Sequence, residues 1–571
     1  MNQKRGRTLV ASLLAVVLII SALLTGCNTN NNTNKDTDNV PITKDESNQP
    51  EHKKEGERAK ITVPFINFGV IPSEEGTPTD NRWTQWIQEN APVDVEFVDV
   101  PVGQRIEKYN AMFAAGEAPD LIMTFGDDFI AQLIDQKLVM PIDDLIENYS
   151  TNYKELLNEF PEIRQAATKT DGHMYSIARV VGVKTNPAIV IREDWLQKLS
   201  LEIPKTTEEL YTVAEAFAKQ DPDGNGKDDT YGIGLSQGSR YAYESMFGVN
   251  DYYDRNGELV RDSMPRQQYI EFIKKLYDNG IVDKDFLTDK DGAKESQDFL
   301  TGKLGITLIN QASRPMGFNT FKSFLDNNSN GSYTVIELPE SPNGQYSPHI
   351  NPPFEMFVMV NSQTKNPEAV MKYIDFLLED QTGIILSYGF KGEHWELGDN
   401  GCPNLLDADK YAKEVGWNKL YWEWIFPELK FGPCREFAST LNPDDPVEKK
   451  FIEFTEKHSA AYLSKERPIK GLTFGLYMPQ IPKDLNQIRQ STSKTIQDIL
   501  DKALVSGSSY SAEQAVKDAD KVFYGSGGEK IDQWHNDWYK AHKDEAFLIE
   551  EIYAFLEKQQ ELGKAPSVKF E

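Results

Sequence analysis

The segment Ala188–Leu201, AIVIREDWLQKLSL, constrains the fold of this 571-residue chain more than any other. Its first four residues, Ala188–Ile191, form a short apolar run rich in β-branched side chains, which is typical of a strand buried on both faces. Asp194 then precedes Leu196 and Leu199, whose spacing is helical. The pattern predicts a buried strand that runs directly into a helix. Because an α/β-patterned block lies on either side, we expect this strand to cross between two lobes.

The first 27 residues combine a basic start, an apolar stretch and a cysteine. Three basic residues precede an apolar stretch at 9–24, which is short for a membrane span of about 20 residues and fits a signal-peptide core better. The sequence LTGC at 24–27 resembles a lipobox, which implies cleavage after residue 26 and lipidation, including palmitate, at Cys27. We therefore expect a lipid-anchored protein on the outer face of a bacterial, Gram-positive cell membrane. An ordinary membrane anchor and plain secretion remain alternatives.

The composition separates a tether from a folded body. Residues 27–58 contain almost no large apolar side chain, so they cannot bury enough surface to fold and are expected to be a disordered tether. The remainder, about 500 residues, exceeds a single core and predicts at least two lobes. The formal net charge is −28. This charge repels phosphate backbones and anionic lipid, which argues against nucleic acid as a partner.

Two cysteines remain once Cys27 is assigned to the lipid. In an oxidising exterior, Cys402 and Cys434 could form a disulfide whose loop closure contributes about 3–4 kcal/mol. Two buried free thiols are the alternative, because sequence spacing alone cannot place the sulfurs within bonding distance.

Strand and helix patterns alternate through the first part of the folded body. Ile61–Phe68, Val93–Val98 and Asp120–Thr124 are predicted strands with helices between them, a rhythm typical of parallel βαβ units. Ligands of such sheets lie beyond the carboxyl ends of the strands. Asp127 follows the third strand and is therefore a candidate ligand residue, with a solvated or capping acid as the alternative.

An acidic loop after residue 220 has the spacing of a calcium site. Carboxylates and an amide occupy its positions 1, 3, 5 and 9, and a glycine occupies position 6. Side chains and one carbonyl would hold the ion: Asp221, Asp223, Asn225, Lys227 (carbonyl) and Asp229. Position 12, normally a bidentate glutamate, is Gly232. An acidic turn without metal is therefore the alternative.

A G-x-S-x-G pattern around Ser236 raises the question of catalysis. The same pattern surrounds the nucleophile of many hydrolases, but no histidine or aspartate stands in a recognisable partner motif. We interpret Ser236 as a serine that lines a cleft.

Several phrases resemble the extracellular solute-binding proteins of ABC transporters, in the large carbohydrate-binding group. GEAPDLI at 116–122, REDWLQKL at 192–199 and YGFKGEHW at 388–395 occur in the expected order. The resemblance implies an α/β, two-lobed periplasmic-binding-protein-like fold (type II), with a mixed or parallel sheet and flanking helices in each lobe and hinge strands between them. It places lobe 1 at 59–186 and lobe 2 at 187–355. Residues 356–571 would return through both lobes as a largely helical part.

The resemblance also implies a function without catalysis. The protein would capture a carbohydrate, an oligosaccharide, and deliver it to an ABC permease when the lobes close. It is similar to alginate-type binding proteins, whose comparable calcium loop lies away from the sugar, so calcium (Ca²⁺) is expected to be structural. We expect a monomer. A surface glycoside hydrolase, an esterase and a sugar receptor that does not transport are the alternatives.

A sugar has apolar C–H faces and a rim of hydroxyls, so its cleft needs flat aromatic rings and polar partners. The predicted aromatic platforms are Trp83, Trp395 and Trp422. The predicted polar partners are Asp127, Arg179, Asn310 and Arg314. Packing in the core is the alternative for each tryptophan.

Overall fold

The strand at residue 188 forms as the sequence predicts. In the computed structural model, which describes residues 58–125, 127–169, 171–348, 350–351, 353–422, 424–470, 481–544 and 548–570, Ala188–Arg192 is a fully buried strand followed by the helix Glu193–Leu199. Successive side chains of a strand point to opposite faces. Ile189 and Ile191 accordingly enter one hydrophobic cluster, and Ala188 and Val190 enter another.

The strands are short and belong to several sheets. In chain order they are β1 Lys60–Asn67, β2 Gly76–Thr77, β3 Asp80–Asn81, β4 Asp94–Pro101, β5 Leu121–Thr124, β6 Ile177–Val180, β7 Lys184–Thr185, β8 Ala188–Arg192, β9 Tyr231–Ile233, β10 Tyr253–Arg255, β11 Glu258–Val260, β12 Leu304–Ile309, β13 Tyr333–Val335, β14 Ile350–Asn351, β15 Phe354–Val360, β16 Trp395–Leu397 and β17 Pro403–Leu405.

Helices surround these sheets and make up most of the C-terminal part. They are α1 Arg82–Asn90, α2 Arg105–Ala115, α3 Asp127–Asp135, α4 Asp143–Tyr149, α5 Asn152–Glu159, α6 Glu162–Ala167, α7 Glu193–Leu199, α8 Thr207–Lys219, α9 Arg240–Met246, α10 Met264–Asp278, α11 Ala293–Leu300, α12 Pro315–Asn327, α13 Pro367–Leu377, α14 Asp380–Tyr388, α15 Ala408–Tyr411, α16 Lys419–Trp422, α17 Pro446–Tyr462, α18 Lys483–Leu504, α19 Ala512–Gly525, α20 Gly528–His542 and α21 Ile549–Leu562. Among the helices that the structure describes, none is both long and apolar enough to cross a membrane.

Lobe 1 is the part of the protein built on β1, β4 and the sheet β5-β15-β6. Strand β1 pairs in parallel with β4, and β15 pairs antiparallel with both β5 and β6. Asp120 joins the two groups of strands, because its carboxylate accepts hydrogen bonds from the amide (2.7 Å) and hydroxyl (2.9 Å) of Thr62. The first, second and third predicted strands are therefore confirmed, with β4 extending to Pro101.

Lobe 2 is the part built on the four-stranded sheet β13-β8-β12-β9. Strand β8 pairs antiparallel with β12 and β13, and β12 pairs in parallel with β9. Helix α8 covers one face of this sheet so closely that Gly305 has no room for a side chain. A Cβ at Gly305 would lie 2.2 Å from Cδ2 of Phe217. The observed architecture is the mixed α/β fold with helix-flanked sheets that the sequence predicts.

A two-stranded antiparallel ribbon, β7 with β14, connects the lobes and is called the hinge here. The chain leaves lobe 1 after Val180 and enters lobe 2 at Ala188. Residues from the C-terminal part hold this crossing: the side-chain amide of Gln559 bonds to both the N–H (2.7 Å) and the C=O (2.9 Å) of Val183. The carboxylate of Glu428 accepts a 2.6 Å hydrogen bond from Lys184.

The C-terminal helices contribute to both lobes. Residues of α18 and α19 belong to the lobe 2 core, whereas Trp538, Tyr539 and residues of α21 belong to the lobe 1 core. Cys402 and Cys434 form a disulfide within a smaller cluster that includes Trp395. Of the two alternatives for these cysteines, the structure therefore shows the disulfide and not two free thiols. The lobe boundaries at 59–186, 187–355 and 356–571 stay predictions.

Candidate functional site

The strand directions bring the ligand-side edges of both sheets toward the hinge. In lobe 1, β6 ends immediately before the hinge, and β5 runs parallel to β6 because both are antiparallel to β15. In lobe 2, β8 starts immediately after the hinge, so the antiparallel β12 and its parallel neighbour β9 both end on the hinge side. A molecule held between the lobes beside the hinge would meet the carboxyl ends of these strands.

Four aromatic side chains, Phe68, Phe125, Tyr421 and Trp424, gather at this edge of lobe 1 and are called the aromatic cluster. Phe68 follows β1 and Phe125 follows β5, with ring centroids 6.2 Å apart. Tyr421 lies 5.7 Å from Phe68, and Trp424 lies 4.8 Å from Phe125. Phe68 and Phe125 are half-buried, so part of each ring remains accessible. The cluster offers the apolar surface that a sugar face requires.

Polar atoms beside the aromatic cluster lack hydrogen-bond partners. Within the described ranges, no partner is found for the buried Thr124 Oγ1, Arg105 Nε, Asp99 Oδ1 and Trp424 Nε1 atoms. The Arg105 guanidinium carbon lies 5.2 Å from the centre of the Phe125 ring.

A pocket of about 300 Å³ lies at the corresponding edge of lobe 2 and is called the lobe-2 pocket. Its polar lining comes from the chain after β9, from β12 and from α11. The residues that carry this chemistry are Ser236, Ser239, Glu295, Thr307 and Asn310. Both strands end at the pocket, because Ser236 follows the end of β9 and Asn310 follows the last residue of β12.

The most unusual group in the lobe-2 pocket is the carboxylate of Glu295, which is only 6% exposed. Its Oε1 accepts hydrogen bonds from the hydroxyl of Thr307 at 2.9 Å and the amide of Leu308 at 3.4 Å. Its Oε2 is also buried, beside the hydroxyls of Ser236 and Ser239. Burial raises the pKa of the Glu295 carboxyl, and the nearby hydroxyls of Ser239 and Ser236 lower it.

Ser236 is built into this pocket as a structural serine. It is fully buried, and its hydroxyl donates to the hydroxyl of Ser239 at 3.1 Å while accepting from the Ser239 amide at 3.1 Å. This network fixes the turn that follows β9. It supports the interpretation of Ser236 as a lining residue.

Asn310 and Arg314 lie where the sequence places them, at the carboxyl end of β12. Asn310 is exposed, lines the lobe-2 pocket and accepts a 3.2 Å hydrogen bond from the hydroxyl of Tyr241. Arg314 is exposed at the N-terminus of α12. Their roles as ligand residues stay predictions.

Arg179 lies inside the protein, beside the hinge, and is 3% exposed. Its guanidinium is 3.5 Å from the carboxylate of Glu428, which also lies 2.6 Å from Lys184 and 3.3 Å from Lys419. A buried carboxylate with three cations around it stabilises the crossing between the lobes. This placement favours a structural role for Arg179 over direct contact with a ligand.

Two of the three predicted aromatic platforms are buried. Trp83 is 0% exposed, stacks on Phe390 at 5.8 Å and donates its indole N–H to the carbonyl of Glu414. Trp395 is 1% exposed and donates to the carbonyl of Gly389. Neither ring has a free face in this structure, which favours core packing, the alternative that the sequence left open.

Three predicted residues cannot be placed in the site. Asp127 begins α3 and Trp422 ends α16, but their side chains lie outside the described part of the structure. Cys27 and the rest of residues 1–57 also lie outside it.

The acidic loop at 221–229 forms a tight turn between α8 and β9. The carboxylate of Asp221 accepts hydrogen bonds from the amides of Gly224, Asn225 and Gly226 at 3.0–3.1 Å. The side-chain nitrogen of Asn225 donates to Asp223 at 2.7 Å and to Asp229 at 3.0 Å. The carboxylates of Asp223 and Asp229 therefore converge on the side-chain NH₂ group of Asn225, whose hydrogens carry partial positive charge.

This loop has the donors that Ca²⁺ requires, with one exception. Partial burial is the largest cause of the raised pKa of Asp223, and the charges of Asp221 and Asp229 add to it. A bound cation would relieve this repulsion, with the Asn225 amide turned to present its oxygen. The exception is position 12, because a Cβ at Gly232 would lie 2.0 Å from the carbonyl oxygen of Ala214. Position 12 is already part of β9 and cannot supply a ligand.

A second acidic group, Glu393, His394 and Glu414, also comes close together. It is the one set of three or more His, Cys, Asp or Glu residues, among the residues described, whose ligand atoms lie within 4.8 Å of one another. The Phe390 amide donates to Nδ1 of His394 at 2.9 Å, so the ring proton is on Nε2, 3.2 Å from Glu414. A metal on Nε2 would need the proton on Nδ1, opposite that amide. The geometry therefore favours a hydrogen-bonded core histidine.

The residues of the aromatic cluster were not predicted as a site. Phe68 was predicted only as the last residue of the first strand, and Phe125 directly follows the third predicted strand. The available signal was position, since both phenylalanines directly follow strands whose carboxyl ends face the hinge. No sequence pattern indicated Glu295, because its burial depends on residues that only the fold brings together.

The amino-acid sequence of this chain is similar to those of known bacterial proteins. The family model described as bacterial extracellular solute-binding protein matches residues 75–384. Lipoprotein LipO of Bacillus subtilis (strain 168) is 29% identical over 330 residues, which cover 56% of this chain and 64% of LipO, less than two thirds of that protein. The polygalacturonan/rhamnogalacturonan-binding protein YtcQ of the same organism is 26% identical over 406 residues, 68% of this chain and 76% of YtcQ.

FusA, the fructooligosaccharide ABC transporter substrate-binding protein of Streptococcus pneumoniae, is 26% identical over 404 residues, 65% of this chain and 71% of FusA. Its crystal structure with kestose has a TM-score of 0.62 at 21% identity and covers 85% of this chain and 99% of that one. A second FusA structure is of an EF-hand mutant. Alginate-binding protein AlgQ2, solved without calcium ion, has a TM-score of 0.61 at 18% identity, over 85% of this chain and 98% of that one.

These structural matches show the shared fold. The family match over residues 75–384 confirms the resemblance drawn from the phrases at 116–122 and 192–199. The matched family segment covers more than half of the chain and contains β5 through α13, with both edges that face the hinge. The chain belongs to the bacterial extracellular solute-binding protein family.

Proposed function

We propose that this protein captures an oligosaccharide outside the cell and delivers it to an ABC permease without chemical change. The observation that carries the proposal is the pair of strand edges at the hinge, one with the aromatic cluster and the other with the lobe-2 pocket. An aromatic surface on one side and hydroxyl, amide and carboxylate groups on the other match the two kinds of surface of a sugar.

The relatives support a carbohydrate as the ligand. YtcQ is named for binding polygalacturonan and rhamnogalacturonan, and FusA for transporting fructooligosaccharides. The esterase alternative is not favoured, because the hydroxyl of Ser236 is engaged by Ser239. Closure of the lobes about β7 and β14 would bring the two edges together on the ligand and create the form that the permease recognises.

A panel of oligosaccharides, tested by thermal shift and then by calorimetry, tests the proposal. A ligand at one hundred times its dissociation constant stabilises the folded protein by about 2.7 kcal/mol, which gives a measurable rise in melting temperature. Phe125→Ala should weaken binding of the best sugar with little loss of stability. Phe523→Ala is the matched control, since Phe523 is also half-buried but packs in the separate cluster of α18–α20. No shift with any sugar, or equal effects of both variants, would contradict the proposal.

We further propose that the loop at 221–229 binds one structural Ca²⁺. The ligands would be the side chains of Asp221, Asp223, Asn225 and Asp229 and the carbonyl of Lys227, with water in place of position 12. The loop precedes β9, whereas the lobe-2 pocket follows β9, so the ion would sit at the opposite end of this strand from the ligand. The EF-hand named for FusA supports a calcium loop in this family.

Chelation provides the test for calcium. Removing the ion should lower the melting temperature of the wild type while leaving sugar affinity nearly unchanged. The variant Asp223→Asn should be insensitive to chelator, and Asp228→Asn, in the same loop but at a position without a ligand role, should behave like wild type. Protein purified without chelator that contains no calcium by elemental analysis would refute the proposal.

The proposed location is the outer face of a bacterial cell membrane, with a lipid on Cys27 as the anchor and the chain acting as a monomer. The match to LipO, which is named as a lipoprotein, supports the anchor. The remaining polar residues of 27–58 would then act as the tether between lipid and folded body.

A further inference from the structure

The ligand-side edge of lobe 2 exposes two large apolar side chains, those of Tyr241 and Met316. Tyr241 lies in the first turn of α9 and is 37% exposed, and Met316 lies in the first turn of α12 and is 57% exposed. A single exposed apolar side chain is ordinary on a protein surface. Here, however, α9 follows β9 and α12 follows β12, and these two strands pair in parallel and end at the same edge of the sheet. The two side chains therefore belong to one edge of lobe 2.

Asn310 connects these two side chains. It directly follows β12 and lines the lobe-2 pocket together with Met316. Its side-chain oxygen accepts a 3.2 Å hydrogen bond from the hydroxyl of Tyr241. An exposed side chain usually moves between several rotamers, whereas this one is tied at its far end to a residue at the end of a strand. The hydrogen bond therefore restricts the orientation of the Tyr241 ring.

The backbone that carries Tyr241 is held by the core of lobe 2. Of its two neighbours in sequence, Arg240 forms a 2.7 Å ion pair with Asp501 of α18, and Ala242 is fully buried. Ala242 and Tyr243 both belong to the hydrophobic cluster of lobe 2. A ring that is fixed in this way loses little conformational freedom when a ligand covers it, which favours binding.

The segment that follows β12 lies against the chain that leaves the hinge. The amide of Ala312 donates to the carbonyl of Asn186 at 3.0 Å. The hydroxyl of Ser313 is hydrogen-bonded at 2.7 Å to His458, which bonds at 2.9 Å to the carbonyl of Pro187. This edge of lobe 2 is therefore next to the hinge, as is the edge of lobe 1 that carries the aromatic cluster.

Resting on the proposal that the ligand is a carbohydrate, we propose that Tyr241 is an aromatic platform of lobe 2 and that Asn310 is its positioning residue. The ring of Tyr241 contacts an apolar C–H face of the sugar, and Asn310 holds the ring in the orientation that this contact needs. The sequence predicted Asn310 as a polar partner of the sugar, whereas here it acts through Tyr241. Because the aromatic cluster belongs to lobe 1, a sugar bound between the lobes touches aromatic rings of both.

The physical basis is the removal of two apolar surfaces from water. The faces of a tyrosine ring carry partial negative charge and sugar C–H groups carry partial positive charge, so the contact combines apolar burial with a favourable electrostatic interaction. The hydroxyl of Tyr241 is already satisfied by Asn310, so covering the ring leaves that hydroxyl with its hydrogen bond. The affinity should therefore depend chiefly on the ring, and on the hydroxyl only through the orientation that Asn310 imposes.

Calorimetry of the full folded chain tests the platform. The probes are tetrasaccharides built from glucose, xylose, mannose, galactose, fructose or galacturonate, and the one that binds the wild type most tightly is used with the variants. Tyr241→Ala should weaken its binding at least about tenfold, as truncation of a tyrosine at a binding hot spot does. Tyr524→Ala is the matched control and should bind as the wild type does. Tyr524 is also an exposed helical tyrosine, and its hydroxyl bonds to Asp532 of α20 at 3.1 Å.

A double-mutant cycle separates positioning by Asn310 from direct contact with the sugar. Asn310→Ala should weaken binding to the wild type about threefold, the effect of one lost hydrogen bond. In the Tyr241→Phe variant, which keeps the ring but lacks the hydroxyl, Asn310→Ala should have no further effect. A direct hydrogen bond from Asn310 to the sugar would instead weaken binding by the same factor in both backgrounds. The cycle stands on its own if Tyr241→Ala does not fold.

Unchanged affinity in folded Tyr241→Ala would overturn the platform, and so would an equal loss in Tyr524→Ala. An effect of Asn310→Ala that persists in Tyr241→Phe, or no effect in the wild type, would overturn the positioning role. If Phe125→Ala weakens binding but Tyr241→Ala does not, this inference fails and the proposed function stands. If no tetrasaccharide binds, the proposed function fails and the inference fails with it.

Discussion

His458 provides the sharpest test of the packing between the hinge and the C-terminal part. It lies on α17, is fully buried, donates from Nε2 to the carbonyl of Pro187 at 2.9 Å and accepts at Nδ1 from the hydroxyl of Ser313 at 2.7 Å. The tautomer follows because a carbonyl only accepts. Burial lowers the pKa of His458 from 6.5 to about 4, and its hydrogen bond to Pro187 opposes this.

The lowered pKa makes stability depend on pH in a defined direction. Between pH 6.5 and 4 the unfolded chain binds a proton at His458 that the folded chain does not, so acid favours unfolding. The contribution is fully present above pH 6.5 and is lost as the pH falls toward 4. One pKa unit corresponds to about 1.4 kcal/mol, so lowering the pH from 7.5 to 4.5 should cost about 2.5 kcal/mol through this residue.

Urea denaturation at pH 7.5 and 4.5 measures this loss. In His458→Gln the difference in unfolding free energy between the two pH values should be smaller than in the wild type by about 2.5 kcal/mol, whatever the absolute stability of the variant. His173→Gln is the control, because the side chain of His173 is 56% exposed in a surface turn. An unchanged pH difference in His458→Gln, or an equal change in both variants, would refute the reasoning.

Three further predictions concern the covalent and packing features of the chain. Replacing Cys402 and Cys434 together by alanine should lower the free energy of unfolding by about 3.7 kcal/mol, because the disulfide spans a sequence separation of 32, and urea titration would measure it. Trp83→Ala should lower the free energy of unfolding by about 3–5 kcal/mol and lower the melting temperature, as expected for a core residue. A normal melting temperature together with weakened sugar binding would instead support Trp83 as an aromatic platform. Cys27→Ala should move the protein from the membrane fraction to the medium, which fractionation and blotting would detect; continued membrane binding would reveal another anchor.

Local sequence patterns predicted those strands and turns that are determined by neighbouring residues. The run Ala188–Ile191 is apolar on both alternating faces, and both faces are buried, in two different clusters. The glycines and acids at 221–229 produce the turn that their spacing indicates, because hydrogen bonds within the loop form it.

Residue roles that depend on distant parts of the chain could not be predicted in the same way. Trp83 packs on Phe390, and its buried indole N–H donates to the carbonyl of Glu414, 331 residues away in sequence. Arg179 is engaged by Glu428, which no local pattern connects to β6. The periodicity of apolar residues predicts which side chains are buried, but it does not predict which distant residues they contact.

The contact between Gln559 and Val183 has a consequence for how the protein is made. The hinge is synthesised early, but the side chain that satisfies its backbone, and the Tyr553, Phe555 and Leu556 side chains that complete the lobe 1 core, are synthesised hundreds of residues later. Domains generally fold as units and N-terminal segments emerge first. Lobe 2 can therefore collect most of its core while lobe 1 still waits for α21. A chain truncated before residue 549 should have a protease-sensitive crossing at residues 181–187.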